Sequence, residues 1–324
     1  MTSAVIDAGA SIGEETELAT RAAWLYHAGG LTQSEVAGKL CIAPAKAHRL
    51  IARATQAGLV RVFVEGPIGN CIALEEALAE RHGLALCRVV PGLESERSQP
   101  DLRAVGTATA QFLRETFERG EHRIVGVGHG RTLSAAVDLM PRVPAPFVRL
   151  VCLLGGLPRR ISTGPFDVIH RLAEKTGAEA FLLPVPMVAN TPADGQVLRA
   201  QRGVTETLAL ATEASLVLAG IGAVDEAAFL PMAGMIAPQE VRQLRRAGAL
   251  GELLGRYFGA DGTLIETELH DRVIAAPPAT LHGLVAVAGG AEKAHAINAV
   301  LRSRLLHGLI TDEPTARLLV AAAR

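Results

Sequence analysis

Aromatic residues make up only 3% of this chain, with one Trp and two Tyr. So few rings argue against the base-stacking platforms of single-stranded RNA binders. Cysteine is as scarce. Cys41, Cys71, Cys87 and Cys152 form no CxxC pair and have no histidine at zinc spacing. A disulfide framework and a zinc module are therefore not expected. The four read as small buried or half-buried side chains in a reducing cytoplasm. The ten histidines are scattered, without HExxH, and no metal or cofactor is expected. No apolar run approaches the ~20 residues of a membrane span. The N-terminal MTSAVIDAGASIGEETEL lacks the basic start and apolar core of a secretory leader. It reads as a short mobile tail ahead of the first helix. A cytoplasmic protein with no membrane contact is expected.

What is present is a globular composition. Hydrophobic residues make up 49% and charged residues 20% of 324 positions, enough for a small domain and a larger core. The net charge is −1, yet Val36 to Val64 carries Lys39, Lys46, Arg49, Arg53 and Arg61 and no acid. A basic patch on a near-neutral chain marks a dedicated surface. Its pattern is two short helices, a tight turn and a strand fit to open a wing. Val36, Ala37 and Leu40 make one apolar face; Ala47, Leu50, Ile51 and Ala54 follow at i, i+3, i+4, i+7. Lys46, Arg49 and Arg53 fall on another face of the second helix, with His48 beside them as a possible base contact. One side of that helix can pack while another meets DNA, the layout of a helix-turn-helix. Thr32 with Glu35 three residues on reads as a capping box. Pro44 suits a first turn, Gly58 ends the helix, and Val60 to Val64 alternates as a strand. An ordinary helical hairpin with solvated basic residues is the plainer alternative.

A first helix is expected over Thr16 to His27. Gly66-Pro67-Ile68-Gly69-Asn70 marks the exit from the small domain. The boundaries are therefore 1–66 for a DNA-binding domain and 67–324 for a second domain. Helices are expected over Leu74 to Arg81 and Leu102 to Arg119, a strand at Val89-Val90, and a polar loop from Ser95 to Pro100. From Ile124 onward, short apolar runs alternate with helices. The runs are Ile124–Gly128, Val148–Leu154, Ala180–Val185, Ala214–Gly222 and Leu284–Gly290. The helices are Phe166–Lys175, Gln196–Ala209, Pro238–Ala247 and Glu292–Arg302. This alternation implies a doubly wound parallel sheet covered on both faces. Several runs end in glycine, and the carboxyl ends of parallel strands form a ligand crevice.

GVGHGRTLSAAV, Gly126 to Val137, reads strand, glycine turn, helix. Gly128 and Gly130 free the backbone, Arg131 adds charge, and Thr132 and Ser134 add hydroxyls at a helix start. The parts suit a phosphate or polyhydroxylated ligand. There is no GK[ST] and no dinucleotide fingerprint; a purely structural turn is the alternative. AGGAEKAHAI, Ala288 to Ile297, repeats the arrangement. Lys293 in the first turn opposes the helix dipole, which a bound anion would explain better than solvent. LITDEPTA, Leu309 to Ala316, reads as a strand and a helix capped by Thr311 or Asp312, with Pro314 in the first turn.

Taken in order, the helix-turn-helix, GVGxGRTL, LLGG, PVP, AGIG, VAGGxEKAxAI and LITDExTA resemble the SorC (sugar-binding) family of bacterial transcriptional regulators from about Arg21 to the end. KAHRLIA, GHGRTLSAAV and PVPMVANT look most similar to the erythritol- and polyol-catabolism regulators of that family. The resemblance implies an N-terminal DNA-binding domain, an effector domain resembling sugar-phosphate isomerases and deaminases in fold, and a homo-oligomer, dimer or tetramer. It implies ligand loops at Gly128, Gly130, Arg131 and Thr132, at Gly155 and Gly156, and at Gly289, Gly290 and Lys293. Two positions depart. Gly259 stands where many relatives carry an acid, leaving Asp261 as a weak substitute. Ala43 stands where the recognition helix usually starts with Ser, a cap weaker by ~1 kcal/mol.

The implied partners are double-stranded operator DNA and a sugar, sugar alcohol or sugar phosphate that shifts the DNA-competent population. The rival is a sugar-phosphate isomerase or deaminase on the same large-domain fold. It needs a base over the sugar, and only Asp261, Asp312 and His129 offer one, none with a partner visible in the sequence. A basic helix-turn-helix has no use in such an enzyme.

Overall fold

In the computed structural model, residues 3–60, 69–92, 102–156, 168–232 and 234–322 are described. The chain forms two compact units, Met1–Glu65 and Gly66–Arg324.

The first unit holds three helices: α1 (Ser3–His27), α2 (Gln33–Lys39) and α3 (Pro44–Gln56). Helix α1 begins well before Thr16, so the N-terminal stretch is helical where a tail is expected. Its Ala- and Glu-rich composition without proline lets the helix propagate. Ala19, Ala22 and Ala23 of α1 meet Val36 and Ala37 of α2 and Ala47, Leu50, Ile51 and Ala54 of α3 in one buried cluster. These are the apolar faces marked by the helical spacing. Both halves of the capping box form: the Thr32 hydroxyl accepts from Glu35 N, and the Glu35 carboxylate accepts from Thr32 N at 2.8 Å. The turn into α3 places Cys41 at φ 52°, a left-handed conformation that costs a side-chain-bearing residue ~1–2 kcal/mol. Helix α3 ends as expected at Gly58. Leu59 N donates to Ala54 O at 2.9 Å and Gly58 N to Thr55 O at 3.1 Å, a Schellman motif that needs the positive φ of 70° at Gly58. The wing strand, with Arg61, lies outside the described residues, as does the Ser95–Pro100 loop; only Val60 is described, half-buried against the helices.

The second unit opens with α4 (Gly69–His82), β1 (Leu86–Val90), α5 (Leu102–Arg119), β2 (Ile124–Val127), α6 (Arg131–Leu139), β3 (Arg149–Cys152), α7 (Val168–Thr176) and β4 (Glu179–Phe181). It continues through α8 (Pro192–Arg199), α9 (Arg202–Thr212), β5 (Leu216–Ala219), β6 (Gly222–Ala223), α10 (Phe229–Met232), α11 (Pro238–Arg246), β7 (Gly251–Leu253) and β8 (Arg256–Phe258). Last come α12 (Leu269–Arg272), β9 (Leu284–Val287), α13 (Ala294–Arg302), β10 (Gly308–Asp312) and α14 (Glu313–Ala321). Seven strands pair in the order β1-β10-β9-β5-β2-β3-β4, every pair parallel. β2, β5, β9 and β10 are buried along their whole length, which is why they read as unbroken apolar runs. From β2 the chain winds outward through β3 to β4. It then returns to the other side of β2 at β5 and winds through β9 and β10. That reversal between β2 and β5 is a topological switch point, where open parallel sheets hold ligands.

In the second unit the elements differ from expectation in three places. Gln196–Ala209 is two helices. Thr191 caps α8 by accepting from Asp194 N at 3.1 Å, and the Thr205 hydroxyl takes up the Arg199 carbonyl at 2.9 Å where α8 ends. The Ala180–Val185 run is a strand only to Phe181; Pro184 and Pro186, lacking N–H groups, interrupt the ladder, and contact resumes as a single bridge where Val185 O accepts from Gly156 N. A small antiparallel sheet, β6-β7-β8, gives no sequence signal because its strands are two or three residues long. The cysteines also divide: Cys71 and Cys152 are buried and Cys87 half-buried, but Cys41 is exposed, and all are free thiols. Among the described residues no helix is long and apolar enough to cross a membrane.

Candidate functional site

In the first unit, α3 carries the expected basic residues outward. Lys46, His48, Arg49 and Arg53 are all exposed, opposite the buried Ala47, Leu50, Ile51 and Ala54. Arg53 is already engaged, its guanidinium 2.7 Å from Glu15 of α1. Among the described residues Lys46 and Arg49 form no ion pair, and the cationic face centres on them. The N-cap of α3 is Ala43, with no side-chain cap bond; Pro44 has no N–H and Lys46 N donates to Ala43 O at 2.9 Å, which leaves the Ala45 N–H as the group without a cap.

In the second unit the chemistry gathers where β2, β5 and β9 end. Gly128 continues β2, donating to Leu218 O at 2.8 Å, and a Cβ there would lie 3.2 Å from that oxygen. Gly130, at φ 143°, turns the chain into α6 as its N-cap with no side-chain cap. The leading N–H groups of α6, from Arg131 and Thr132, thus lack an intrahelical acceptor. Arg131 is exposed and Thr132 buried. Across the switch point, Gly290 at φ 106° leads through a tight turn, Ala291–Lys293, into α13. Lys293 is therefore the N-cap of α13 rather than a residue of its first turn. Its ammonium is held below the usual lysine range, first by burial and then by the positive charge of Arg131; Glu292 and Asp225 act in the opposite direction. Two cations at two helix N-termini, each raising the other's cost, form an anion-attracting pair.

The second glycine pair is knitted to Asp312. Gly290 N donates to Asp312 Oδ2 at 2.8 Å and to Thr315 Oγ1 at 2.9 Å. Asp312 Oδ1 accepts from Thr315 N at 2.8 Å, capping α14. A Cβ on Gly289 would lie 2.2 Å from Asp312 Oδ2, so only glycine fits there. Gly155 and Gly156 sit elsewhere than the anion pair. Gly155 N donates to Ile274 O at 2.9 Å and Gly156 N to Val185 O at 2.7 Å, so neither N–H is free for a ligand. Gly156 lines a cavity of about 680 Å³ with Pro184, Pro186, Met187, Asn190 and Arg272 beyond β3 and β4.

Asp261 does not join the crevice. It is exposed and closes its own turn, accepting from Thr263 N at 3.0 Å and from the Thr263 hydroxyl at 2.7 Å. Those bonds hold its carboxyl below the usual range. The adjacent Gly262 packs on the Arg302–Ser303 backbone. Asp261 thus lies at the far end of α13 from Lys293, a nine-residue helix or ~13 Å. None of the three candidate bases is placed as a free base over a sugar. Asp312 is consumed in capping, Asp261 faces solvent, and His129 lies with Nε2 3.9 Å from the Cys152 sulfur.

Two acids escaped the sequence reading. Asp225, four residues beyond Ile221 of the AGIG segment, bears on Lys293 electrostatically, and its Oδ1 is buried with no hydrogen-bond partner. Glu252 of β7 accepts from Gly255 N at 2.6 Å, and burial pushes its carboxyl up to about 7. Asp225, Glu252 and Tyr257 share a cavity of about 30 Å³, room for water. Neither acid has a partner in a recognisable motif, so spacing gave no signal.

A parallel α/β unit with helix N-termini and two cations at its switch point, and a separate unit carrying a basic helix-turn-helix, are the parts of a ligand-responsive DNA-binding regulator. Residues 66–321 match the family described as "Putative sugar-binding domain". The chain is 49% identical over 308 residues to the erythritol catabolism regulatory protein EryD of Brucella abortus, covering 94% of this chain and 97% of that one. It is 33% identical over 323 residues to the transcriptional regulator LsrR of Klebsiella pneumoniae, covering 98% and 96%. The full-length sorbitol operon regulator SorC of Klebsiella pneumoniae shares the fold, with a TM-score of 0.70 at 23% identity over 94% of this chain and 98% of that one. The chain belongs to the SorC-type sugar-binding transcriptional regulators; it is a regulator and not an enzyme.

Proposed function

We propose that this regulator controls a carbohydrate or polyol catabolic operon from the cytoplasm. Residues 1–66 bind operator DNA through Lys46, His48, Arg49 and Arg53 of α3. Residues 67–324 bind a sugar, sugar alcohol or sugar phosphate at the switch point and hold a dimer or tetramer. Gly130, Arg131, Thr132 and Lys293 stand nearest the effector. The observation that carries this reading is the Arg131–Lys293 pair, two mutually repelling cations at helix N-termini that an anionic group on the ligand would relieve. The similarity to an erythritol catabolism regulator favours a polyol or its phosphate. One recognition helix contacts too few base pairs for genomic specificity, so two or more copies act on a repeated or palindromic site.

The test is a fluorescence anisotropy titration of operator DNA with the full-length protein, repeated with tetritols, pentitols, aldoses, ketoses and their phosphates. At least one is expected to shift DNA affinity tenfold or more. Lys293→Ala is expected to weaken an anionic effector far more than a neutral one, through loss of a charge-assisted contact. A protein whose DNA affinity ignores the whole panel would overturn the effector assignment, and equal anion binding by parent and variant would remove Lys293 from it.

A further inference from the structure

The crevice at the switch point is described so far by its cations, which hold an anion but cannot count hydroxyl groups. A polyhydroxylated ligand needs an acceptor, and the acids put forward from the sequence cannot serve. Asp261 lies at the wrong end of α13, Gly259 has no side chain, and both Asp312 oxygens are engaged. Asp225 is placed differently. It follows β6 in the connection that leaves the carboxyl end of β5, the strand beside β2 at the switch point. It is close enough to Lys293 to raise the lysine's proton affinity, while Arg131 lowers it from the other direction. Its Oδ1 is out of water and without a donor. It also borders a cavity of about 330 Å³ whose lining includes Glu292, the neighbour of Lys293. A buried carboxylate oxygen with no donor is costly, and a ligand hydroxyl is a donor of the right kind.

We propose that Asp225 is the hydroxyl-reading residue of the effector site, its carboxylate accepting O–H bonds from a vicinal diol. This rests on the effector reading above and adds a specificity element to it. The ligand is then a polyol or polyol phosphate rather than a simple anion. Arg131 and Lys293 attract any negative end, and Asp225 makes the site reject an anion that brings no hydroxyl groups and a chain lacking adjacent ones. The geometry also limits the rival role of Asp225 as a mere counter-ion to Lys293. No ion pair links the two among the described residues, and the oxygen stays unpartnered.

The experiment is isothermal titration of the full-length protein and of Asp225→Ala and Asp225→Asn with erythritol, xylitol, sorbitol and their phosphates. Butane-1,4-diol serves as the probe without adjacent hydroxyls and inorganic phosphate as the probe without carbon. The parent is expected to bind at least one polyol and to ignore the butanediol. Asp225→Ala is expected to lose about tenfold to a hundredfold in polyol affinity, the range of a hydrogen bond to a charged group. Asp225→Asn, which keeps shape and one acceptor, is expected to lose less and guards against misfolding. Polyol affinity unchanged in both variants would overturn the proposal and leave the effector reading intact. So would tighter phosphate binding with polyol affinity unchanged, the signature of a counter-ion. A parent that binds neither these polyols nor their phosphates would overturn the proposal, while the effector reading is decided separately by the wider panel of sugars and sugar phosphates.

Discussion

The two units keep their chemistry in different places. In the helical unit the candidate contacts lie on the outside of one helix, at i, i+3 and i+7, all on exposed residues. In the α/β unit they lie where strands stop, brought together from segments more than a hundred residues apart. There burial, a neighbouring cation and unpartnered oxygens shape each group. The lesson is about tolerance. A surface face loses function one charge at a time, whereas a strand-end crevice is packed so closely that a single methyl group changes it.

Glycine substitution breaks that comparison most sharply. Gly289→Ala would drive a Cβ to 2.2 Å from Asp312 Oδ2 and 2.8 Å from Val105. It is expected to cost about 3 kcal/mol or more, through loss of the Gly290–Asp312 bond and overpacking. Gly58→Ala meets nothing within 4 Å and is expected to cost only ~1 kcal/mol, for the positive φ. Denaturant unfolding of the two variants measures both. Near-equal losses would show that the crevice is no tighter than the helix end.

The buried acid comes next. The Glu252 carboxyl sits at about 7 in the folded protein against a reference of 4.5. Its proton is held more tightly folded than unfolded. The cost of burying its charge is therefore absent below pH 4.5, grows between 4.5 and 7, and is complete above 7. Glu252→Gln is expected to raise the melting temperature by several degrees at pH 8 relative to its effect at pH 5. A difference between variant and parent that stays flat with pH would mean the carboxyl ionises as freely as a surface one.

Smaller effects sharpen the helical side. Arg49→Ala is expected to lower operator affinity about tenfold and to reduce the salt slope by about one, while leaving the melting temperature unchanged. DNA binding identical to the parent would remove α3 from the interface. Ala43→Ser supplies the missing N-cap oxygen and is expected to add up to ~1 kcal/mol. No gain would show that the uncapped Ala45 N–H already has a solvent partner of equal worth.

Local spacing is enough to specify the elements whose period repeats along the chain. The buried face of α3, the Thr32–Glu35 capping box, the Gly58 stop, the full extent of α5 and the buried β2, β5, β9 and β10 all follow from spacing and cap chemistry, which are local. It also placed the GHGRT and GGAEK turns at strand ends. Which turns meet depends on the packing of distant segments. The strand order put β5 between β2 and β9 and so brought Arg131, after β2, within electrostatic reach of Lys293, after β9. It sent Asp261 to the far end of α13, gave the Gly155 and Gly156 N–H groups to neighbouring backbone, and brought Asp225 and Glu252 to a shared cavity. Those outcomes depend on distances between segments far apart in the chain. A side chain's burial and its neighbours' charges are properties of that packing, and no spacing within one segment encodes them.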